Sequence, residues 1–439
     1  MIRLSPATAS SPPLNLVAPF LLAAPLGLLA AGLLLATTDA SAFAAINVPR
    51  NVAATHAAII GGLTTGIMGA VYQLGPAVLG GRLVSHTLAR IQFAFHAVSV
   101  PLFVWALLER NLTFMSAAAM AVLVSFVLFL VNAVPAIGGL RKANAVMRAY
   151  VGVALGMLVV TGSLGITWVG TLQHLWFPVT MGRLAGHAHM GLLGWLGLTV
   201  MGVSYQLVPM FNVVQKRQAR LAWWALAVTS IAALGGGLAL MTDPGREGRL
   251  VIAAAMAAGP ALWAMDILRL LAARSRRTLD VQGRATFVSL GFLGVAMVLG
   301  MVVAFGKPLL DPGQAGRWQL AYGICGIGGW VGLTFVGNSF KIVPFLVWYH
   351  RYRFLAGRGP VPMISDVYND RVANIVLTAY AVALAVMALG AGLGELSVLR
   401  GGAGLLAVAA TAHAGSLAHI VFAPHAAATA RPVGRGVLR

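Results

Sequence analysis

GHAHMGLLGWLGLTVMGVSYQLVPMF, residues 186–211, is an apolar run of helix length that opens on two histidines, His187 and His189, and closes at Pro209. Crossing a bilayer takes about 20 apolar residues, and this run has them. Histidine inside such a segment is costly and points to function. Residues two apart on a helix project about 200° from one another, so the two rings cannot clasp one metal ion together. They serve two different sites, or one site and one structural partner.

The rest of the chain is of the same kind. Of its 439 residues 59% are hydrophobic and 9% charged, with a mean hydropathy of +0.87; a soluble protein carries about 25% charged residues. Hydropathy predicts twelve spans, near 14–37, 53–79, 91–109, 113–136, 149–171, 187–211, 220–241, 249–272, 285–306, 318–347, 373–394 and 401–424. The fold class is therefore an all-α polytopic membrane protein whose main partner is the lipid bilayer. A net charge of +20 would suit nucleic acid, but its distribution excludes that reading. Of 30 Lys and Arg, 21 fall in the termini and even-numbered connections and eight in the odd-numbered ones, with Lys341 inside the tenth span. This bias puts both termini in the cytoplasm, and an even number of spans requires them to share a side. The single cysteine, Cys325, leaves no intramolecular disulfide and no Cys-based zinc site. The run 14–38 precedes Ala40-Ser41-Ala42, a signal-peptidase-like triplet. It is longer than a signal core and only Arg3 precedes it, so we expect a retained first span.

The sixth span repeats elsewhere. At an offset of 133, His56, Gly61, Leu63, Met68, Gly69, Tyr72, Gln73, Leu74 and Pro76 of the second span meet identical residues of the sixth, ending at Pro209. At an offset of 135, Trp195, Gly197, Leu198, Thr199, Gly202, Ser204, Val208 and Pro209 reappear in the tenth span, from Trp330 to Pro344. Repeats at a fixed period disclose architecture before chemistry. They predict one transmembrane domain of three four-helix units, about 14–147, 148–284 and 285–425, in a pseudo-threefold ring. The third copy lacks the histidines: Tyr322 stands where His187 stands, and Ile324 where His189 stands.

The remaining histidines sort by depth. His96 and His413 lie within spans, and either a ligand or a satisfied polar contact suits each. His86, His350 and His425 sit at span ends and His174 in a connection, where a solvated role is expected. None of the ten acidic residues lies at mid-membrane, so the buried carboxylate usual in proton-coupled transporters is missing.

With these residues the chain resembles the heme–copper oxidase superfamily, whose catalytic subunit has twelve spans, pseudo-threefold symmetry and histidines near the outer span ends. His187-Ala188-His189 ahead of Pro209 is similar to that family's His-x-His helix, and His56 matches its second-span heme ligand by span and side. His187 matches the sixth-span copper histidine by position. The His-Ala-His start is also similar to that of the NnrS family, heme- and copper-containing membrane proteins of nitric-oxide metabolism. The departures are equally specific. His-x-His stands on the sixth span instead of the tenth, and the seventh span lacks the copper-binding histidine pair. The NnrS-type Glu is Met190, and the acidic proton-channel residues are absent, which argues against a proton-pumping oxidase.

The resemblance implies a multi-pass protein of a bacterial inner membrane that binds heme, or heme and copper, in respiratory or nitric-oxide-related redox chemistry, served by an electron-donor protein. The heme expected is b-type, since no Cys-x-x-Cys-His is present for covalent attachment. His56 and His189 are the expected axial pair. The candidate metal residues are His56, His187, His189, His96 and His413. Two other readings use the same scaffold: a cofactor-free transporter or channel, and a heme or copper sensor or assembly protein without turnover.

Overall fold

The computed structural model describes residues 11–138, 145–214, 220–275, 278–306, 310, 314–355 and 361–424; His425 lies outside them. It contains twelve membrane-length helices: α1 (Leu14–Ala36), α2 (Pro49–Leu79), α3 (His86–Glu109), α4 (Leu112–Ile137), α5 (Ala145–His174), α6 (Met181–Asn212), α7 (Arg220–Leu240), α8 (Arg246–Ala272), α9 (Val281–Phe305), α10 (Ala315–Arg351), α11 (Asp370–Leu393) and α12 (Leu396–Phe422). There is no strand among the described residues. Each predicted span falls on one helix. The repeat helices α2, α6 and α10 begin earlier than hydropathy suggests, because their first turns carry polar residues. Five helices start on a side-chain oxygen that accepts from the backbone two or three residues on: Ser85, Asn111, Thr180, Asp280 and Asn369. Such caps satisfy the donors that the first turn leaves free.

Consecutive helices pack side by side, and α1 closes the ring against α12. The three repeat helices stand at its centre. In α2, α6 and α10, 72%, 83% and 72% of the most apolar stretch is buried, against 22–56% in the other nine. Small residues let these backbones approach. A Cβ on Gly27 of α1 would lie 2.2 Å from backbone atoms of Gly61 and Gly62 in α2. Across the centre, the Trp195 indole of α6 donates to Thr64 Oγ1 of α2 at 2.9 Å.

Each central helix contains a π-helical stretch: Ala57–Thr64, Met190–Gly197 and Ile324–Gly332. The first begins just after His56 and the second just after His189. A π turn displaces the usual carbonyl pairing. In α2 the Ile60 carbonyl accepts from the Thr65 hydroxyl at 3.0 Å, and His96 Nε2 lies 3.3 Å from that carbonyl and 3.0 Å from Thr65 Oγ1.

At the end of α10 away from its π stretch, Lys341 Nζ pairs with Asp280 Oδ2 at 2.8 Å, the two side chains 14% and 13% exposed, and donates to Tyr368 OH at 3.1 Å. Removing one partner of a largely buried pair costs about 3–5 kcal/mol. Asp280 keeps its bond from the Gly283 N–H, so Lys341→Met should destabilise by about 3 kcal/mol, the low end of that range. Denaturation of the detergent-solubilised protein measures it. A variant as stable as the parent would show that the pair contributes nothing net.

Candidate functional site

One cavity opens between each pair of central helices. Between α2 and α10 lies a space of about 340 Å³, walled also by α1, α6, α11 and α12. Between α6 and α10 lies one of about 390 Å³, with walls from α8 and α9. Between α2 and α6 lies a smaller one of about 150 Å³, closed by α3, α4 and α5. The first two fall within the usual size of small-molecule and cofactor sites, ~300–1,000 Å³.

The histidines predicted from sequence stand on the walls between these cavities. His56 and His187 line both the α2–α10 and the α2–α6 cavities. His189 lines the α2–α10 and the α6–α10 cavities. The two rings of the His-Ala-His start thus share one cavity and part company at the next.

The tautomers follow from geometry. His56 Nδ1 is 2.8 Å from the Val52 carbonyl, and His189 Nδ1 is 2.7 Å from the Ala185 carbonyl. A carbonyl only accepts, so each Nδ1 carries the proton and each Nε2 keeps its lone pair. A bond of this kind, four residues back along the same helix, fixes the tautomer and orients a ligating imidazole. Val52 and Ala185 are themselves equivalent under the 133-residue repeat. His187 differs: its Nδ1 is buried with no hydrogen-bond partner.

Tyr322 was missed by sequence reasoning. Its ring stacks on His189, centroids 5.8 Å apart, and its hydroxyl donates to His189 Nε2 at 3.0 Å. It lines both cavities that His189 lines. Its place in the repeat, opposite His187, was the signal available. The third copy replaces an imidazole with a phenol and does not leave a blank.

His96 and His413 line none of these three cavities, and both ring nitrogens of each are engaged within the protein. His96 Nδ1 pairs with Ser125 Oγ at 3.0 Å while its Nε2 serves the π turn of α2. His413 Nε2 pairs with Ser339 Oγ at 2.8 Å, and Tyr380 OH donates to its Nδ1 at 3.4 Å. Of the two roles open to these residues, the structure displays the polar contact between helices. His174 stacks on Trp176 in its connection, and Met190 packs against Gly237 of α7.

The donor set suits a heme and does not suit copper. His56 and His189 offer Nε2 donors to one largely apolar cavity, although that of His189 is held by Tyr322. Imidazole is a common axial ligand of heme iron. For copper, no three His, Cys, Asp or Glu side chains converge among the described residues, and α7 carries no histidine. The expectation of copper finds no ligand set here.

No protein-family model matches the sequence, and no curated protein matches it. The structure does have a counterpart. It superposes on a heme–copper terminal oxidase solved as a dimer by cryo-EM, with a TM-score of 0.66 over 93% of this chain and 84% of that chain, at 14% identity. This is the heme–copper oxidase fold. The tenth helix carries Tyr322-Gly323-Ile324 at the positions that His187-Ala188-His189 hold in the sixth.

Proposed function

We propose that the chain is a heme-binding membrane redox protein, with a b-type heme in the α2–α10 cavity. One observation carries this reading. His56 and His189, related by the repeat, each tie Nδ1 to the carbonyl four residues upstream and border the same apolar cavity. A heme bound there would supply one-electron chemistry toward a diatomic oxidant such as oxygen or nitric oxide. The protein's own part is to orient the imidazoles, exclude water with apolar walls and control the lone pair of His189. The split of basic residues supports cytoplasmic termini. With them, the histidine ends of α2 and α6 lie near the outer face, within reach of an outer electron-donor protein.

Tyr322 sets the ligation. While its hydroxyl holds His189 Nε2, only the Nε2 of His56 is available; when it turns away, both are. Tyr322→Phe removes that hydroxyl and should shift the bound heme toward the six-coordinate, low-spin form, read from the Soret position and electron paramagnetic resonance. The first test is simpler. Purified protein, expressed with ample heme supply, should give about one b-type heme per chain in a pyridine hemochrome assay. A heme-free preparation would remove the proposal.

A further inference from the structure

The α6–α10 cavity is long and narrow, and its lining changes along its length. It runs from Arg249 to Pro260 on α8, from Ala304 back to Leu293 on α9 and from Gln319 to Trp330 on α10. Each stretch spans eleven residues, or about 16 Å of helix. One leaflet's share of the hydrocarbon core is about 15 Å. The cavity is therefore as deep as one layer of lipid chains, with its mouth at the helix ends, where headgroups lie.

The charged groups stand at the mouth. Asp243 is exposed there, and Arg249 and Gln319 are half-buried. Arg249 is held as a bracket: Nε donates to the Ala304 carbonyl at 3.3 Å and Nη1 to the Pro244 carbonyl at 3.1 Å. Both acceptors are neutral, and no ion pair to Arg249 occurs among the described residues. Its second terminal nitrogen is left over. Asp243, next to Pro244 in the chain, brings a carboxylate to the same mouth. Deeper in, the polar groups carry no charge: His189 and Tyr322, which bond each other, and Trp330. Ile252, Ala253, Ala257, Met297 and Val303 are only half-buried on these walls. That is apolar surface which an apolar chain would cover.

We propose that the α6–α10 cavity binds one acyl chain of a phospholipid, with the headgroup phosphate on Arg249 and a primary ammonium on Asp243. Guanidinium matches phosphate in charge and in donor geometry. A purely anionic headgroup would meet the Asp243 carboxylate, and a choline headgroup has no N–H to give it. An ethanolamine headgroup satisfies both residues. A heme does not suit this cavity, because His189 is the only histidine on its walls and Tyr322 holds its Nε2. The site does not depend on heme in the neighbouring cavity.

The test uses the purified full chain in detergent, given dioleoyl phosphatidylethanolamine, phosphatidylglycerol or phosphatidylcholine in turn, with bound lipid counted by native mass spectrometry. About one phosphatidylethanolamine per chain should survive the collisional activation that strips the other two. Arg249→Gln should weaken its retention by about tenfold, the worth of one hydrogen bond to a charged group. Asp243→Asn should weaken it by about threefold, as for an exposed ion pair, and remove the preference over choline. Ala257→Phe puts a ring in the path of the chain and should abolish retention. Three results would overturn the proposal. One is that no lipid stays bound. Another is equal retention of all three lipids, undiminished in Ala257→Phe, which is the surrounding lipid shell only. The third is about two hemes per chain, one of them lost in Ala257→Phe, which would make the cavity a cofactor pocket. Selective lipid retention alongside a failed hemochrome assay would leave this inference standing and remove only the heme proposal.

Discussion

Replacing His56 with alanine is expected to abolish the heme spectrum of the purified protein, high-spin and low-spin forms alike. In the α2–α10 cavity His56 has its Nδ1 committed to the Val52 carbonyl, whereas Tyr322 already occupies the Nε2 of His189. Loss of groups that merely orient a ligand lowers metal affinity by about 10- to 100-fold. Loss of the ligand itself should exceed that, so heme retention should fall by more than ~100-fold. His189→Ala should remove the six-coordinate species while leaving a high-spin remnant on His56. His187→Ala should leave the spectrum largely intact. Heme content and Soret position in the three purified variants measure this. Equal loss of the same species in His187→Ala and His56→Ala, in folded protein, would show that the histidines act as one structural cluster.

The second large effect concerns the ring itself. Gly27→Ala would drive a methyl to 2.2 Å from backbone atoms of Gly61 and Gly62, and no rotamer can relieve a clash with backbone. Overpacking typically costs about 1–3 kcal/mol, and more where the obstacle is rigid. We expect a loss of about 3 kcal/mol or more, and much reduced yield. Gly156→Ala is the internal standard, since a Cβ there meets nothing within 4 Å; alanine is also the better helix former, by about 1 kcal/mol. Thermal unfolding in detergent compares the two. If Gly27→Ala were as stable as Gly156→Ala, α1 and α2 would not be in the contact described.

The number of spans and the equivalence of three of them were legible because both follow from one-dimensional information, whereas their central place was not. Bilayer thickness fixes span length. The equivalence of His56 with His189 and of Pro76 with Pro209 marks helices that occupy equivalent positions. Tyr322 was not legible as a partner of His189, because the two are 133 residues apart and belong to different repeats; only the packing of α6 on α10 brings phenol to imidazole. The role of His96 was hidden for a related reason. Its partner is a carbonyl and a hydroxyl exposed by a widened turn in another helix, and no pattern of side chains announces a π turn in advance. The reading of His187 and His189 as opposed on the helix was sound geometry. It could not foresee that a cavity bordering that helix would take in both rings.

The widened turns have a consequence for how these helices can change. A π stretch behaves as an inserted residue, and one residue is worth about 100° of rotation in an α-helix. Deleting a single residue between Ala57 and Thr64 would let α2 relax to ordinary α-geometry. His56 would swing by about 100° away from its cavity, while the far half, with Tyr72 buried against Phe20 and Phe129, stays seated. Each central helix is thus two segments joined at a rotary coupling, one bearing His56, His187 and His189 or Tyr322 and one anchoring the ring. The third copy displays that freedom: Tyr322 stands ahead of the π stretch where the sixth helix has His187, while Leu333 to Pro344, beyond it, keeps the pattern of the sixth helix.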